Sequence, residues 1–375
     1  MSRMINILMM VSWYLPKDTK EYSANFHYEQ ALALSKYCNI AVYYPYDKQV
    51  KHLTSEMEKG VRVYRSPYKL ERKIRNRYYM FRAMKEINRE FHPDIIHVQV
   101  ATEAGRFAII FGKLFHIPVV LTEHSTIEAS GVLHFPLHMY ADFTYKNSLF
   151  NACVSDDLTE KLSKIFPKYQ FTTIYNGIIV PEEVAKDKRY RVEGYVNFVL
   201  VANFYDREIK GIPNLLQVVH KLKSDGQKIR LHIIGEGDFR QEFEQITREL
   251  DIQDECIFYG KADKKKVYEV IDQMDFLVSA SKFESFGCTI AEAMMLGKPV
   301  VATKSGGPES FVTENTGILA EKENIDVLYF GIRKMIKHYR EYQADEIRKY
   351  AIEKFDMENI TARYMQVYQE VLEIE

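Results

Sequence analysis

The sequence predicts an α/β protein made of two Rossmann-like domains whose parallel sheets face each other across a cleft. The chain has 375 residues, a length that favours two domains over one. Short apolar strands alternate with amphipathic helices in both halves, which is typical of parallel sheets covered by helices. A charged stretch at residues 181–194 has few large apolar side chains and is predicted to be the linker between the domains.

In the first half, short apolar runs predict buried strands and periodic apolar positions predict helices. The strands are expected at residues 5–11, 40–44, 61–64, 94–98, 118–121, 150–154 and 172–175. The helices are expected at residues 22–37, 69–91, 105–116, 136–149 and 156–166. We therefore expect an N-terminal domain over residues 1–180.

The second half repeats the same alternation after the linker. Its strands are expected at residues 195–203, 229–234, 256–259, 276–280, 299–302 and 317–320. Helices fill the gaps, and three further helical segments follow at residues 325–339, 345–355 and 359–374. The second domain is therefore expected over residues 195–356.

Composition excludes several classes of protein. The formal net charge is −1, which gives the whole chain no attraction to nucleic acid. Four cysteines are scattered without a C-x-x-C pair, as expected for free thiols in a reducing compartment. The apolar residues 4–11 lack a following small-residue cleavage site, so we interpret them as a first strand. No apolar run is long enough to span a membrane, and we expect a cytoplasmic protein.

Basic and apolar side chains are interleaved at residues 69–85. A run of this kind is commonly a solvated face of a core helix. The alternative is a surface that binds anionic lipid headgroups, which would make the protein peripheral at the inner face of the cell membrane.

The stretch at residues 281–292 carries two carboxylates, Glu284 and Glu292, separated by seven residues. It follows an apolar strand and leads into a helix, so Glu284 lies in the loop at the carboxyl edge of the predicted sheet. Glu292 lies about a turn and a half inside the helix. Ligands of doubly wound domains bind at this edge, and a helix start offers backbone N–H groups to an anion.

Two other patterns are weak. Gly235 and Gly237 follow a strand as in a dinucleotide fingerprint, but Arg240 replaces the third glycine, so a dehydrogenase is poorly supported. His134 and His138 have the spacing of metal ligands on a helix, but Pro136 lies between them and no glutamate follows His134. We therefore predict no metal site there.

Taken together, the motifs resemble the retaining glycosyltransferases of the GT-B fold, family 4, also called glycosyltransferase group 1. The resemblance is densest over residues 199–319 and is looser in the first half. The motifs that carry it are Lys210–Gly211, the glycine pair Gly235 and Gly237, residues 258–260, residues 283–292, residues 297–301 and residues 305–309, with 26–34, 92–97, 122–124 and 175–177 in the first half. The resemblance also implies that a C-terminal helix at 357–375 completes the N-terminal domain.

A nucleotide-sugar donor leaves as a nucleoside diphosphate, so positive groups must meet the growing charge on the phosphates. The resemblance implies that Lys210 and Arg207 supply cations and that Glu284 binds the sugar hydroxyls. Glu292 would accept the ribose hydroxyls, and His124 would reach the donor sugar from the N-terminal domain. The catalytic set is thus Glu284, Lys210, Arg207 and His124.

The remaining donor-binding residues are predicted at the start of the helix and on two neighbouring loops: Phe286, Gly287, Cys288, Thr289, Asn203, Gly235 and Gly237. The acceptor is expected near residues 13–26 and 123–134, with Trp13, Tyr22, Ser23 and His27 on the acceptor side. No metal and no cofactor are expected beyond the nucleotide sugar as co-substrate.

Two departures from the family pattern stand out. The loop after the first strand contains no glycine, and the first glycine of the chain is Gly60. This loop is therefore expected to serve the acceptor. The family arginine after the first strand of the second domain falls near Asn203, so Arg207, four residues on, is predicted to take over its role at the phosphates.

The resemblance implies an enzyme that moves a sugar from a nucleotide donor to a glycan or lipid-linked acceptor, with retention of the anomeric configuration. UDP is the favoured nucleotide and GDP the second. Synthesis of a bacterial surface polysaccharide or glycolipid is the expected setting. The alternatives are a nucleotide-sugar epimerase of similar fold and a non-catalytic nucleotide-sugar binding protein. Assays of donor turnover, with and without an acceptor, separate the three.

Overall fold

The computed structural model describes residues 4–15, 26–69, 73–181 and 189–374. The chain forms two compact units. One combines Met1–Gly177 with Met357–Glu375, and the other is Ile178–Asp356. The sequence placed the end of the first domain at residue 180, three residues beyond the division in the structure.

The N-terminal unit is an eight-stranded sheet with helices. Its strands are β1 (Asn6–Met10), β2 (Asn39–Asp47), β3 (Thr54–Glu58), β4 (Val61–Pro67), β5 (Ile95–Val98), β6 (Val119–Glu123), β7 (Phe150–Cys153) and β8 (Thr172–Thr173). Its helices are α1 (Phe26–Leu34), α2 (Lys73–Phe91), α3 (Glu103–Phe115), α4 (Ile127–Ser130), α5 (Leu137–Asn147), α6 (Asp156–Ile165) and, from the end of the chain, α13 (Met357–Glu373).

The C-terminal unit is a six-stranded sheet. Its strands are β9 (Val196–Val201), β10 (Ile229–Ile234), β11 (Cys256–Gly260), β12 (Phe276–Ser279), β13 (Val300–Thr303) and β14 (Gly317–Ala320). Its helices are α7 (Ile212–Ser224), α8 (Arg240–Glu249), α9 (Lys264–Gln273), α10 (Cys288–Met295), α11 (Ile325–His338) and α12 (Ala344–Phe355).

Strand order confirms the predicted α/β fold. The sheet of the C-terminal unit runs β11-β10-β9-β12-β13-β14, which is the doubly wound order, and all of its pairs are parallel. The N-terminal sheet runs β3-β4-β2-β1-β5-β6-β7-β8 and follows the same order from β4 to β7. The order reverses beside β1 in one sheet and beside β9 in the other, so ligand sites are expected at the carboxyl ends of these strands and their neighbours.

The sequence missed the edge strand β3. This strand pairs antiparallel with β4, and its residues are mostly exposed and polar, so no apolar alternation marks it. The turn between β3 and β4 is formed by Lys59 and Gly60, both with positive φ (44° and 92°). A glycine in such a two-residue turn is the signal that could have predicted the hairpin.

The predicted linker at 181–194 is described only in part, because residues 182–188 lie outside the described ranges. Its last residues are bonded to the C-terminal unit. The Tyr190 N–H donates to Gln273 Oε1 at 2.8 Å, and Arg191 pairs with Asp275 at 2.9 Å. These residues are therefore attached to the end of α9 and to the loop that follows it.

Within the described ranges, no helix has both the length and the apolar character that crossing a membrane requires.

Candidate active site

Glu284 is held at the carboxyl edge of the C-terminal sheet by its own backbone. Its N–H donates to the Ser305 carbonyl at 2.9 Å, and its carbonyl accepts from the Gly307 N–H at 2.8 Å. These bonds connect the loops that follow β12 and β13. The Ser281 hydroxyl donates to Glu284 Oε1 at 2.8 Å and orients the carboxylate. A loop residue with this many contacts is more than a solvated charge.

Lys210 pairs with Glu284, although 73 residues separate them in the sequence. Lys210 Nζ lies 2.6 Å from Glu284 Oε1, and the two side chains are 29% and 19% exposed. The next residue, Gly211, explains how the loop after β9 comes so close. Gly211 has a φ of 62°, and a Cβ built on it would lie 1.9 Å from the Ala280 carbonyl oxygen. Only glycine allows this approach of the two loops.

The loop that contains Glu284 leads into α10. Gly287 is its N-cap with a φ of 98°, and Cys288 and Thr289 in the first turn are partly exposed. N–H groups in the first turn of a helix have no partner inside the helix, so they and the positive end of the dipole can meet an anion.

Phe286 requires a correction to its predicted role. Its side chain is 1% exposed and packs against Phe311 and Phe355, with ring centroids 5.3 and 5.4 Å away. The side chain is therefore part of an aromatic core under the loop and does not face a ligand. The Phe286 backbone packs closely against Gly307. A Cβ added to Gly307 would lie 2.4 Å from the Phe286 carbonyl oxygen.

Glu292 lies one helix turn beyond the start of α10, with its side chain 13% exposed. The Tyr268 hydroxyl lies 3.3 Å from Glu292 Oε1, and Lys264 Nζ lies 3.9 Å from the same oxygen. Both side chains come from α9, and no role was predicted for either of them from the sequence.

Gly235 and Gly237 shape the loop after β10 so that it packs against the loop after β9. A Cβ at Gly235 would lie 1.7 Å from the Ala202 carbonyl oxygen, and one at Gly237 would lie 2.4 Å from the Phe204 carbonyl carbon. Asn203 lies between these two contact points and is exposed. These glycines therefore serve loop packing, and the exposed Asn203 stays a predicted donor-binding residue.

Arg207 is placed differently from the prediction. It forms ion pairs with Glu242 and Glu208, and its side chain is 45% exposed. Within the described ranges, these two carboxylates are the ion-pair partners of Arg207. The structure therefore brings Lys210 to Glu284 but engages Arg207 with carboxylates of a neighbouring surface.

In the N-terminal unit, His124 follows β6 directly. Its Nε2 lies 2.6 Å from Gln99 Oε1, and because an amide oxygen can only accept, Nε2 carries the proton. The ring nitrogen Nδ1 is buried and accepts no hydrogen bond from any residue in the described ranges. Burial, with a smaller contribution from His97, lowers the pKa of His124 to about 3, so the imidazole is neutral.

A buried polar network extends from this histidine to the C-terminal helix α13. His97 Nδ1 lies 2.7 Å from the Tyr368 hydroxyl, and His97 Nε2 lies 2.8 Å from Thr122 Oγ1. Thr122 in turn contacts the Tyr364 hydroxyl at 2.9 Å. The tyrosines of α13 therefore support the strand ends that carry Gln99 and His124.

The sequence missed the role of Glu123, which is 3% exposed at the end of β6. Its carboxylate accepts hydrogen bonds from the Ala101, His124 and Ser125 N–H groups, each at 3.1 Å, and from the Tyr145 hydroxyl at 3.3 Å. Burial raises its pKa, and these hydrogen bonds oppose the shift. Glu123 thus fixes the loop that contains His124.

The predicted acceptor-side residues are only partly described. Tyr22 and Ser23 lie outside the described ranges. Trp13 is 51% exposed after β1, whereas His27 is buried and its ring lies 5.1 Å from that of His124. Trp13 is therefore available at the surface, and His27 belongs to the packing around His124.

No group of three or more histidine, cysteine, aspartate or glutamate side chains in the described ranges could hold a metal ion.

Each unit thus presents one polar set at the carboxyl edge of its sheet. The C-terminal set combines a lysine, two carboxylates and a helix start, which suits a ligand with an anionic part and several hydroxyls. The N-terminal set is a neutral histidine fixed by an amide.

Comparison with known proteins identifies the family. The family model described as "Glycosyl transferases group 1" matches residues 184–354, and the one described as "Glycosyltransferase Family 4" matches residues 27–180. An uncharacterized glycosyltransferase of Methanocaldococcus jannaschii, MJ1607, is 28% identical over 60% of this chain and 62% of its own length. The alpha-monoglucosyldiacylglycerol synthase of Streptococcus pneumoniae is 26% identical over 60% of this chain and 55% of its own length. The chain therefore matches less than two thirds of either relative.

A solved structure shows the same fold along the whole chain. Anabaena Alr3699/HepE in complex with UDP-glucose superposes with a TM-score of 0.75 at 17% identity, covering 98% of this chain and 100% of the other. The two parallel-sheet α/β units are those of the GT-B fold, as predicted. Both halves of the chain match successive family models of one type, so the protein belongs to the GT-B glycosyltransferases of family 4, group 1.

Proposed function

We propose that this glycosyltransferase transfers a sugar from a UDP-sugar to a glycan or lipid-linked acceptor with retention of configuration and without a metal ion. The Lys210–Glu284 pair beside the start of α10 carries the proposal. It places a cation next to a carboxylate, in the loop that leads into the positive end of α10, as a sugar diphosphate requires. The HepE complex, which by its title contains UDP-glucose, supports UDP as the nucleotide.

In the proposed reaction, the bond between the anomeric carbon and the diphosphate breaks, and an acceptor hydroxyl bonds to that carbon on the same face. The departing phosphate takes up the proton of the attacking hydroxyl. Lys210 and the N–H groups of α10 stabilise the charge that grows on the diphosphate. Glu284 orients the sugar hydroxyls, and Glu292 binds the ribose.

The setting we propose is the cytoplasmic side of a membrane, in synthesis of a bacterial glycolipid or surface polysaccharide. Helix α2 contains six basic and two acidic residues. Ile74, Tyr78 and Phe81 on this helix are 86%, 56% and 45% exposed. Apolar and basic side chains on one surface fit an anionic bilayer. The similarity to a synthase whose name specifies a glucosyldiacylglycerol product supports a lipid acceptor.

A nucleotide screen tests the central proposal. UDP, GDP and ADP, each free and as its glucose conjugate, are added with EDTA, and the thermal midpoint is recorded. A ligand that binds only the folded protein raises the thermal midpoint. At a ligand concentration of a hundred times the Kd, the free energy of unfolding increases by about 2.7 kcal/mol. We expect UDP and UDP-sugar to give the largest shifts. A protein that no nucleotide stabilises contradicts the proposal.

Retention is tested separately, once a donor is known. The product is analysed by proton NMR at the anomeric position, before it can equilibrate. An α-linked product from an α-linked donor is expected, and a β-linked product contradicts retention.

A further inference from the structure

Two side chains of α9 contact the Glu292 carboxylate on the same oxygen. Lys264 and Tyr268 are four residues apart on α9, so they lie on one face of the helix. Their polar atoms lie 3.9 and 3.3 Å from Glu292 Oε1. The Lys264 and Glu292 side chains are only 17% and 13% exposed, so water screens this contact less than it screens a surface ion pair.

We propose that Lys264 and Tyr268 are positioning residues that orient Glu292 toward the ribose hydroxyls of the nucleotide donor. The inference rests on the proposed function, because that function assigns Glu292 to the ribose. A glutamate on a helix surface has several rotamers, and a carboxylate that binds a ribose must be held in one of them before the ligand arrives. A cation and a hydroxyl directed at one oxygen restrict this choice.

The Tyr268 hydroxyl is itself anchored. It donates to the Ile179 carbonyl at 2.7 Å, in the segment where the chain enters the C-terminal unit. That segment is fixed in turn, because the Ile178 N–H donates to the Phe355 carbonyl at 2.7 Å. A phenol has one proton, so Tyr268 divides its donation between Ile179 and Glu292. Lys264 supplies the second favourable contact to the carboxylate.

The experiment compares the affinities of UDP and 2′-deoxy-UDP by calorimetry on the full chain. In the wild type, UDP is expected to bind more tightly, because Glu292 accepts a hydrogen bond from the 2′-hydroxyl. In Tyr268→Phe and in Lys264→Gln, this preference is expected to shrink roughly three- to tenfold, the range for loss of one hydrogen bond. Lys265→Gln changes an exposed lysine on the same turn and should keep the wild-type ratio.

The ratio of the two affinities separates positioning from folding. A variant that is partly unfolded binds both nucleotides less, and its ratio stays that of the wild type. An unchanged ratio in both Tyr268→Phe and Lys264→Gln, with nucleotide still bound, overturns the inference alone. Glu292→Ala, which leaves no acceptor at this position, should remove the preference altogether. If Glu292→Ala keeps it, or if the wild type binds no nucleotide, the ribose assignment in the proposed function fails and the inference fails with it.

Discussion

Lys210 Nζ lies 2.6 Å from Glu284 Oε1, and this contact joins the loop after β9 to the loop after β12. Neither loop is adjacent to the other in the sequence, but β9 and β12 are parallel neighbours in the sheet, so their carboxyl ends meet. The pair keeps a cation and a carboxylate together at the start of α10. A diphosphate bound at this position would give Lys210 a second negatively charged partner in addition to Glu284.

Lys210→Ala is expected to lower kcat by about 100- to 1,000-fold, because one preorganised donor to the developing charge is lost. The measurement is release of nucleoside diphosphate from the donor identified in the screen. Lys223→Ala is the control, since Lys223 is 33% exposed and pairs with Asp251 and Glu255 on another surface of the same unit. Equal activity of the two variants would remove Lys210 from the proposed chemistry.

Arg207→Ala tests the role that the sequence assigned to Arg207. The resemblance predicts a loss equal to that of Lys210→Ala. The structure changes this expectation, because Arg207 is 45% exposed and already pairs with Glu208 and Glu242. We now expect less than about a tenfold loss, in line with the small contribution of exposed ion pairs. A loss as large as that of Lys210→Ala would show that Arg207 leaves its carboxylates for the phosphates.

Gly211→Ala is expected to destabilise the C-terminal unit by more than about 3 kcal/mol and to displace Lys210. Its Cβ would lie 1.9 Å from the Ala280 carbonyl oxygen, so the backbone must move. Gly226→Ala is a matched control, because Gly226 has a φ of 74° and nothing within 4 Å of the added Cβ. That variant should lose only about 1–2 kcal/mol from left-handed strain. Urea unfolding and donor turnover measure both effects, and equal losses of stability would contradict the close approach.

The N-terminal unit is expected to lose stability in mild acid. Burial lowers the pKa of His97 to about 3, and it also lowers that of His27 well below the usual 6.5, where the charges of His124 and His97 add to the shift. Both histidines stay neutral in the folded state while the unfolded chain takes up protons below about pH 6.5. Each histidine therefore lowers the free energy of unfolding by about 1.4 kcal/mol for every pH unit below 6.5, until the pH reaches the pKa of that histidine in the folded state.

The measurement is the free energy of unfolding at pH 7 and pH 5. His97→Gln should be less stable than the wild type at pH 7, because the hydrogen bonds of His97 to Tyr368 and Thr122 are weakened. Between pH 7 and pH 5, however, the variant should lose less stability than the wild type does. An identical loss in the two proteins would contradict the shift at His97. Glu123 acts in the opposite sense, since its raised pKa means that the folded state gains a proton first as the pH falls toward 4.5.

Binding to anionic vesicles tests the surface of α2. The wild type is expected to co-sediment with vesicles of phosphatidylglycerol and phosphatidylcholine at low salt. Reversing Arg82 and Lys85 to glutamate should weaken this binding at least about tenfold, because each basic residue contributes roughly 1 kcal/mol. Lys334→Glu with Lys337→Glu makes the same charge change on exposed positions of α11 and should bind as the wild type does. Absence of wild-type binding at low salt would contradict the proposed membrane contact.

The fold was predictable because a doubly wound domain consists mainly of buried strands and amphipathic helices. Short apolar runs indicate the strands, and apolar residues at helical spacing indicate the helices. The runs at β1, β9 and β12 are buried on both faces of their sheets and stand out in the sequence. The strand β3 did not stand out, since an exposed edge strand needs no apolar residues.

The site was predictable where a motif fixes chemistry, as at Lys210, Glu284 and Glu292. It was not predictable where contacts join residues distant in the sequence. Nothing near Lys264 or Tyr268 indicates that they reach Glu292, and Gln99 gains its meaning only from the neighbouring strand that carries His124. The side chain of Phe286 looked like part of the motif, but its aromatic partner Phe355 lies about seventy residues later, at the end of α12.

Helix α13 belongs to the N-terminal unit but is synthesised after the C-terminal unit, so the N-terminal unit cannot be completed first. Residues 178–356 form one uninterrupted stretch, but the N-terminal unit lacks Tyr364 and Tyr368 until the ribosome has translated the C-terminal unit and then α13. Until then, His97 and Thr122 have no phenol partners, and polar groups that end up buried stay open to water. The nascent N-terminal unit should therefore stay sensitive to protease, and its Gln99–His124 edge should become ordered only when α13 is available to pack against it.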